Sequence, residues 1–385
     1  MPEIYLDNSA TTRPYPEVVD LMQRIMAKAY GNPSSLHEKG LEAERHIEEA
    51  RRQIASFFSG REREIIFTSG GTESNNLAIK GAALRNRNRG SHLITSQVEH
   101  PSVLNCFRFL EENGFRVTYL PVNEQGLADL NKLAEEICEE TILVSIMHVN
   151  NEVGTVQPLE KIGPLLKKKH PGLLFHVDAV QSFGRLPLKI RDWQVDMVSC
   201  SGHKVHGPRG AGSLWVKGGT LLQPVFHGGG QERELRPGTQ NTPAIAGFGL
   251  AARFSGENQA QKKENLQNLK LRFYRKLLDS GIELDVNGPP PEEGASHIIN
   301  LSFPGLPSEM LLHSLEAKGV FASAGSACHS RKAEPSHILQ ALGLKKSLLD
   351  SALRFSFSCY NSEQEIEKAA AIVSETVNEL YTIIK

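Results

Sequence analysis

Cysteine is scarce in this chain of 385 residues, which has only five. Their number is odd and their spacing does not follow metal-ligand patterns, so neither a secreted disulfide framework nor a cysteine-based zinc site is indicated. Sparse cysteine is typical of proteins in a reducing cytoplasm, where we expect this one. The five are Cys106, Cys138, Cys200, Cys328 and Cys359.

An excess of charge and long hydrophobic runs are missing as well. Lys and Arg number 43 against 44 Asp and Glu, so composition indicates no direct nucleic-acid or anionic-membrane partner. The longest apolar strings, such as 141–149, are far shorter than a membrane span. The first residues, MPEIYLDNSATT, lack the layout of a signal peptide.

Short apolar runs alternate with amphipathic stretches through the first two thirds of the chain. This alternation predicts an α/β fold with a large, mostly parallel sheet covered by helices. The predicted strands are 65–69, 92–97, 116–122, 141–149, 173–180, 197–201 and 212–217. The predicted helices around them are 38–59, 101–113, 127–139 and 159–170.

The pattern changes near residue 255, where a smaller α+β unit is predicted to begin. We expect a large domain over 15–255 and a small domain made of 1–14 with 256–385. The small domain is predicted to contain helices at 257–280, 308–318 and 363–384 and strands at 298–303 and 353–357.

Polar candidates follow directly after several of the predicted strands. Ligands of open α/β sheets collect at the carboxyl ends of the strands, so these side chains are expected to share one site. They are Thr72, His100, Asn151, Asp178 and Lys204.

Asp178 and Lys204 carry the chemistry of this predicted site. Asp178 lies among apolar residues in LLFHVDAV, where a buried carboxylate is costly unless it is paired. Lys204 stands between apolar MVSC and glycine-rich GPRGAG. Pyridoxal phosphate needs such a pair, because its aldehyde forms a Schiff base with a lysine and its ring nitrogen pairs with an acid. The alternatives are a salt bridge from Asp178 to an arginine and a solvated surface lysine.

A phosphate site is predicted beside this pair. TSGGTESNN (68–76) offers backbone amides at a helix start, and Thr72 either donates to a phosphate or caps the helix. Ser201 and His203 share one turn with Lys204 and could donate as well. The loop 228–239 either brings Thr239 to the phosphate, including that of a second subunit, or is an ordinary exposed loop.

Four further side chains have candidate roles. His100, in VEHPSV, could stack on a planar cofactor, move a proton or end a loop. Gln181 would reach the phenolic oxygen of the ring. Arg354 could clamp a substrate carboxylate or form a structural ion pair. Cys328, in the segment 321–337, has basic neighbours that favour its thiolate, although it could be an incidental surface cysteine.

Together these segments resemble the cysteine desulfurases, fold-type I pyridoxal-phosphate enzymes of the class V aminotransferase group. The resemblance covers essentially the whole chain. It rests on YLDNSATT (5–12), GNPSSLH (31–37), GGTESNN, VEHPSV, HVNNEVG (148–154), HVDAVQ, SGHK, RPGT, SAGSACHS and LRFSF. One departure is FSCYN (357–361), which lacks the Gly-Arg that often follows the arginine strand.

The resemblance implies a role for each matching residue. Lys204 would hold the cofactor covalently, Asp178 would pair with its ring nitrogen, His100 would stack on the ring, and Gln181 would contact the phenolic oxygen. The phosphate would be held by Gly71, Thr72, Ser201 and His203 of one subunit, together with Thr239 of a neighbouring subunit. Asn151 and Arg354 would bind the substrate carboxylate, and Cys328 in its loop would accept the sulfur.

The activity implied is conversion of L-cysteine to L-alanine with a persulfide on Cys328. A homodimer would pass this sulfur to acceptor proteins of iron–sulfur cluster assembly or tRNA thiolation. Alternatives remain open: a selenocysteine lyase, since ACHS resembles that group, or another lyase or aminotransferase of this fold. A metal hydrolase using His148, His176, His203 and His206 lacks the usual helical histidine spacing.

Overall fold

A computed structural model describes residues 3–325 and 336–384. The described strands are β1 (Ile4–Tyr5), β2 (Ile65–Thr68), β3 (His92–Ser96), β4 (Arg116–Leu120), β5 (Thr141–Ser145), β6 (Leu174–Asp178), β7 (Met197–Ser201), β8 (Gly212–Val216), β9 (Asp285–Val286), β10 (Ile298–Ser302), β11 (Val320–Phe321) and β12 (Ala352–Ser356). The described α-helices are α1 (Pro16–Lys28), α2 (Glu38–Phe57), α3 (Gly71–Arg85), α4 (Pro101–Glu112), α5 (Leu130–Glu136), α6 (Leu159–Lys169), α7 (Thr242–Gly256), α8 (Gln259–Asp279), α9 (Ser308–Ala317), α10 (His337–Ala341), α11 (Lys346–Leu349) and α12 (Glu363–Ile384).

The large sheet has seven strands in the order β2-β8-β7-β6-β5-β3-β4. All of them run parallel except β8, which is antiparallel to both of its neighbours. The connection from β7 to β8, residues 202–211, is too short for a crossover helix, so β8 must return antiparallel. The predicted fold class, a mostly parallel sheet covered by helices, is confirmed.

Each face of this sheet packs against its own set of helices. On one face Ile54 of α2, Ile162 of α6 and Phe248 of α7 belong to a single buried cluster with alternate strand residues. On the other face Ala82 of α3 and Phe107 of α4 pack with the intervening strand residues. Because successive side chains of a strand point to opposite faces, both faces are apolar, and all residues of the central strands β5, β6 and β7 except Leu174 are buried.

The C-terminal part of the chain forms smaller sheets. Strands β12, β10 and β9 make an antiparallel sheet, and β1 pairs in parallel with β11. A separate buried cluster joins Ile4 and Leu6 with residues between 266 and 380, including Phe273 and Phe355. The predicted domain boundaries remain a prediction, although the N-terminal strand packs with the C-terminal core as they require.

Some elements differ from the sequence-based expectations. Helix α5 begins at Leu130 rather than at 127, because Asp129 caps it by accepting from the backbone N–H groups of Asn131 and Lys132. Helices α1 and α7 were not predicted. Over the described residues, no helix is both long and apolar enough to cross a membrane.

Gly163 in α6 tests the packing of a helix on this sheet. A Cβ atom there would lie 1.6 Å from the carbonyl oxygen of Trp193. We expect Gly163→Ala to lower the free energy of unfolding by about 1–3 kcal/mol, although alanine is the better helix former. Denaturant unfolding measures this, with exposed Lys168→Ala in the same helix as the control. Equal stability of Gly163→Ala and the native chain would contradict this packing.

Candidate active site

A cavity of about 220 Å³ lies at the carboxyl ends of the parallel strands. Ten of the residues predicted from sequence line it, contributed by the segments that follow β2, β3, β5, β6 and β7 and by β12. They are Gly71, Thr72, His100, Asn151, Asp178, Gln181, Ser201, His203, Lys204 and Arg354. Thr239 lines a separate surface concavity with Phe226, and Cys328 lies outside the described residues.

Asp178 ends the central strand β6 and is buried. Its carboxylate accepts from Asn75 Nδ2 at 2.8 Å and from the backbone N–H of Val180 at 2.9 Å. Burial raises the pKa of Asp178, and these hydrogen bonds and the charge of Lys204 oppose that shift. The alternative of a salt bridge to an arginine is wrong, because the described residues provide no ion pair for Asp178.

Lys204 lies in a short 3₁₀ turn directly after β7. Its Nζ donates to the backbone carbonyl of Ala10 at 2.8 Å and also to that of Ser9. The solvated surface lysine considered from sequence is therefore wrong. The segment 9–10 was not predicted to touch this lysine, although it belongs to the YLDNSATT motif.

The turn after β2 and the turn after β7 form the end of the cavity predicted to hold a phosphate. Helix α3 begins at Gly71, and a Cβ there would lie 2.6 Å from Val180 Cγ2. The helix cap is Gly70, so the alternative role of Thr72 as the cap is wrong. His203 Nδ1 lies 3.2 Å from Thr11 Oγ1, and burial lowers the pKa of His203 to about 4, which makes it neutral.

Arg354 in β12 is almost fully buried and makes the ion pair considered as the alternative to substrate binding. Its Nη2 donates to Asp7 Oδ1 at 2.7 Å, and its Nη1 donates to the carbonyl of Asn151 at 2.9 Å. Its Nε is buried and has no hydrogen-bond partner. The guanidinium thus lines the cavity with one donor still unsatisfied, and its pairing with Asp7 was not predicted.

A hydrogen-bond network joins Asp178 to His100. Asn75 Nδ2 donates to Ser102 Oγ at 2.8 Å as well as to Asp178. His100 Nδ1 accepts from the backbone N–H of Ser102 at 3.1 Å and lies 2.8 Å from its hydroxyl. His100 thus caps α4, a role that was not predicted, although the alternative from sequence placed it at the end of a loop. Acceptance at Nδ1 leaves the ring proton on Nε2. Asn75 is a site residue that sequence reasoning missed.

Several buried polar atoms around the cavity have no hydrogen-bond partner within the protein. In native proteins such atoms are nearly always satisfied, so they indicate that a polar ligand or ordered water belongs here. They are Asn75 Oδ1, Asn151 Oδ1, Gln181 Oε1, Ser201 Oγ and Arg354 Nε. Ser201 Oγ can donate to a phosphate, and the buried carboxylate of Asp178 can accept from a ring N–H, so the cavity with its nearby amine fits pyridoxal phosphate.

The histidines considered for a metal hydrolase do not form a metal site in the described residues. His176 Nδ1 lies 2.8 Å from Ser145 Oγ, and its Nε2 lies 2.9 Å from Ser199 Oγ, so both nitrogens are occupied. Among residues 3–325 and 336–384, no three His, Cys, Asp or Glu side chains are grouped as metal ligands.

The profile of class-V aminotransferases matches residues 4–369. The chain belongs to this family. A putative cysteine desulfurase IscS 1 of Bacillus subtilis is 43% identical over 99% of this chain and 100% of its own length. The solved structure of a NifS-like protein has a TM-score of 0.92 at 36% identity, covering 98% of this chain and 100% of that one. A structure titled SspA in complex with cysteine has a TM-score of 0.80 at 36% identity, over 93% and 99%.

The predicted resemblance to cysteine desulfurases is therefore confirmed, as is the prediction of an enzyme of this class. Enzymes of the class-V aminotransferase family depend on pyridoxal phosphate. The roles of the individual residues in this chain stay predictions, for which the shared cavity gives the geometric basis.

Glu99, next to His100, provides a test by pH. It is fully buried, and burial raises its pKa from 4.5 to about 8. Hydrogen bonds from the Met147 N–H and from Ser96 Oγ oppose this rise. The folded chain then holds a proton that the unfolded chain releases, so this residue's contribution to stability falls as pH rises from 4.5 to 8.

We expect Glu99→Gln, which mimics the protonated acid, to gain stability relative to the native chain as pH rises through this window. The gain should approach about 1.4 kcal/mol per pH unit, measured by denaturant unfolding of the cofactor-free protein. Exposed Glu112→Gln is the control. A difference between Glu99→Gln and the native chain that does not change with pH would show that Glu99 is ionised in the fold.

Proposed function

We propose that the protein is a cysteine desulfurase that uses pyridoxal phosphate to convert L-cysteine to L-alanine. The observation that carries this proposal is the meeting of Asp178, Lys204 and Arg354 in one cavity of about 220 Å³. The chain also shares 43% identity with a putative cysteine desulfurase along its whole length. The complex of a related structure with cysteine supports the same substrate class.

The residues at the cavity divide the work of holding the cofactor. Asp178 would pair with the ring N–H, and His100 would lie on the ring. Gln181 Nε2, which donates to the carbonyl of Ser9, would donate with its second N–H to the phenolic oxygen. Gly71, Thr72, Ser201 and His203 would hold the phosphate, since backbone amides at a helix start and hydroxyl groups suit this anion. When bound, pyridoxal phosphate supplies an electron sink that stabilises negative charge at the substrate Cα.

Arg354 and Asn151 would orient the substrate. The unsatisfied Nε of Arg354 is available to the α-carboxylate of L-cysteine, and Nδ2 of Asn151 would be the second donor. This would place the Cα hydrogen within reach of Lys204 Nζ, which would take that proton and later return one. In the chain without cofactor, this amine donates to the carbonyl groups of Ser9 and Ala10, which hold it in the cavity.

Cys328 would accept the sulfur. Its thiolate would attack the sulfur of the bound cysteine, so that an S–S bond forms while the substrate C–S bond breaks. One molecule of L-cysteine and the thiol of Cys328 thus give one L-alanine and a persulfide on Cys328. On the two sides of the undescribed segment, Ser323 pairs with the backbone of Arg354 and His337 Nε2 lies 3.0 Å from the carbonyl oxygen of Glu99. Ser323 and His337 therefore both lie beside the cavity.

The partners follow from this chemistry. We propose a homodimer in which Thr239 of one chain completes the phosphate site of the other, supported by exposed Phe226 in the same surface concavity. A monomer at micromolar concentration, measured by sedimentation equilibrium, would contradict this proposal.

Acceptor proteins of iron–sulfur assembly or tRNA thiolation would take the persulfide sulfur, in the cytoplasm.

Cys328→Ser tests the sulfur-accepting thiol. We expect it to abolish alanine formation from cysteine while the protein still binds pyridoxal phosphate, because the cofactor contacts lie in the described cavity. Alanine assay and visible absorbance measure the two properties, with exposed Cys138→Ser as the control. Unchanged turnover would instead favour another lyase or aminotransferase, whose reaction needs no such thiol. Comparing kcat/KM for cysteine and selenocysteine separates a selenocysteine lyase.

Asp178→Asn tests the ring-nitrogen partner. Loss of a charge-assisted hydrogen bond should weaken cofactor binding by about 1.5–3 kcal/mol, or about 10- to 150-fold in Kd. Equilibrium dialysis of the cofactor measures this, and exposed Asp192→Asn serves as the control. An unchanged Kd together with unchanged turnover would remove Asp178 from the proposed site.

A further inference from the structure

A second cavity, of about 390 Å³, shares no lining residue with the candidate active site. It lies between the large sheet and the C-terminal elements, and residues before α1, after β6 and β7, on α8 and after β12 contribute to its wall. The proposed desulfurase reaction makes no use of it. The wall residues that matter here are Tyr15, Arg185, His206, Lys262, Leu266 and Cys359.

Arg185 is a cation without a counter-charge in this wall. Its Nη2 donates to the carbonyl of Lys204 at 2.9 Å, but its Nη1 is buried and has no hydrogen-bond partner. Within the described residues it forms no ion pair. Burial lowers the pKa of Arg185 to about 10, which reflects the cost of holding this charge away from water. An anion in the cavity would offset that cost.

The rest of the charged wall is also positive. Lys262 donates to the carbonyl of Phe254, and no carboxylate pairs with it among the described residues. The acidic residue of the wall, Glu363, is bound by the guanidinium of Arg272 at 2.8 Å. Three cations, Arg185, Lys262 and Lys263, thus line the cavity, while its carboxylate is paired with Arg272, which lies outside the wall.

The cavity has an apolar side and a thiol beside the cations. Leu266 and Leu269 belong to the wall. Cys359 Sγ lies 3.7 Å from His206 Nε2 and 3.9 Å from Tyr15 Oη. A volume of about 390 Å³ falls in the range of small-molecule sites, which combine an apolar lining with a few polar groups.

We propose that this cavity binds a small organic oxyanion. Its carboxylate or phosphate head lies against Arg185 and Lys262, and its apolar body packs on Leu266 and Leu269. Because Arg185 also donates to the carbonyl of Lys204, the bound anion is connected to the backbone of the candidate active-site lysine through one side chain.

Cys359 supplies a readout that does not depend on turnover. The holoenzyme is treated with iodoacetamide, a neutral reagent, and alkylation of Cys359 is followed by peptide mass spectrometry. Benzoate and phenyl phosphate are the anionic probes, benzamide is the neutral control, and ionic strength is held constant. Exposed Cys138 lies outside the cavity and is the internal reference. At about ten times its Kd, a bound anion should slow alkylation of Cys359 about tenfold, by mass action.

Variants identify where the anion binds. Arg185→Gln and Lys262→Gln should each lose the protection, whereas Lys276→Gln, an exposed lysine on the same helix α8, should keep it. Lys262→Gln lies outside the candidate active site, so it tests the cavity even if Arg185→Gln fails to fold. Protection by one anion alone supports the proposal and identifies the head group. The proposal would be overturned if neither anion slowed alkylation of Cys359, if benzamide slowed it equally, or if Lys262→Gln kept the protection.

Discussion

The buried carboxylate of Asp178 is the group around which the candidate site is arranged. It ends the central strand of a sheet covered on both faces, where an unsatisfied charge is costly. Asn75, from the second turn of α3, and the backbone of Val180 satisfy part of it. The same Asn75 reaches Ser102 and, through it, His100. The need of the Asp178 carboxylate for hydrogen-bond donors therefore fixes the relative position of the segments after β2, β3 and β6.

The N-terminal segment closes the site from the other side. Asp7 pairs with Arg354, the carbonyls of Ser9 and Ala10 hold Lys204, and Ser9 also accepts from Gln181. These groups join the C-terminal sheet to the large sheet across the cavity. Individual hydrogen bonds contribute only about 1 kcal/mol each, so the segment stabilises the site through their number and their burial.

Strands of the large sheet could be predicted because strands buried on both faces read as continuous apolar runs. Helix α7 could not, since all of its residues except Arg253 are small or apolar and ten of its fifteen residues are buried. It therefore lacks the polar face that produces a helical period. Helix α1 begins at Pro16, and the preceding Tyr15 makes no side-chain cap hydrogen bond, so the polar capping residue that usually marks a helix start is missing. Asn75 escaped prediction because its partner Asp178 lies 103 residues away.

The sequence by itself determined the family, the α/β fold and most residues that meet in the cavity, because strand ends with polar residues converge in any parallel sheet. Only the tertiary structure decided which side chains satisfy one another, such as Arg354 with Asp7 and Lys204 with the segment 9–10. It also created the second cavity around Arg185, whose wall comes from five distant parts of the chain. The physical reason is that hydrogen bonds and cavities depend on distances of a few ångströms between remote residues, which periodicity does not encode.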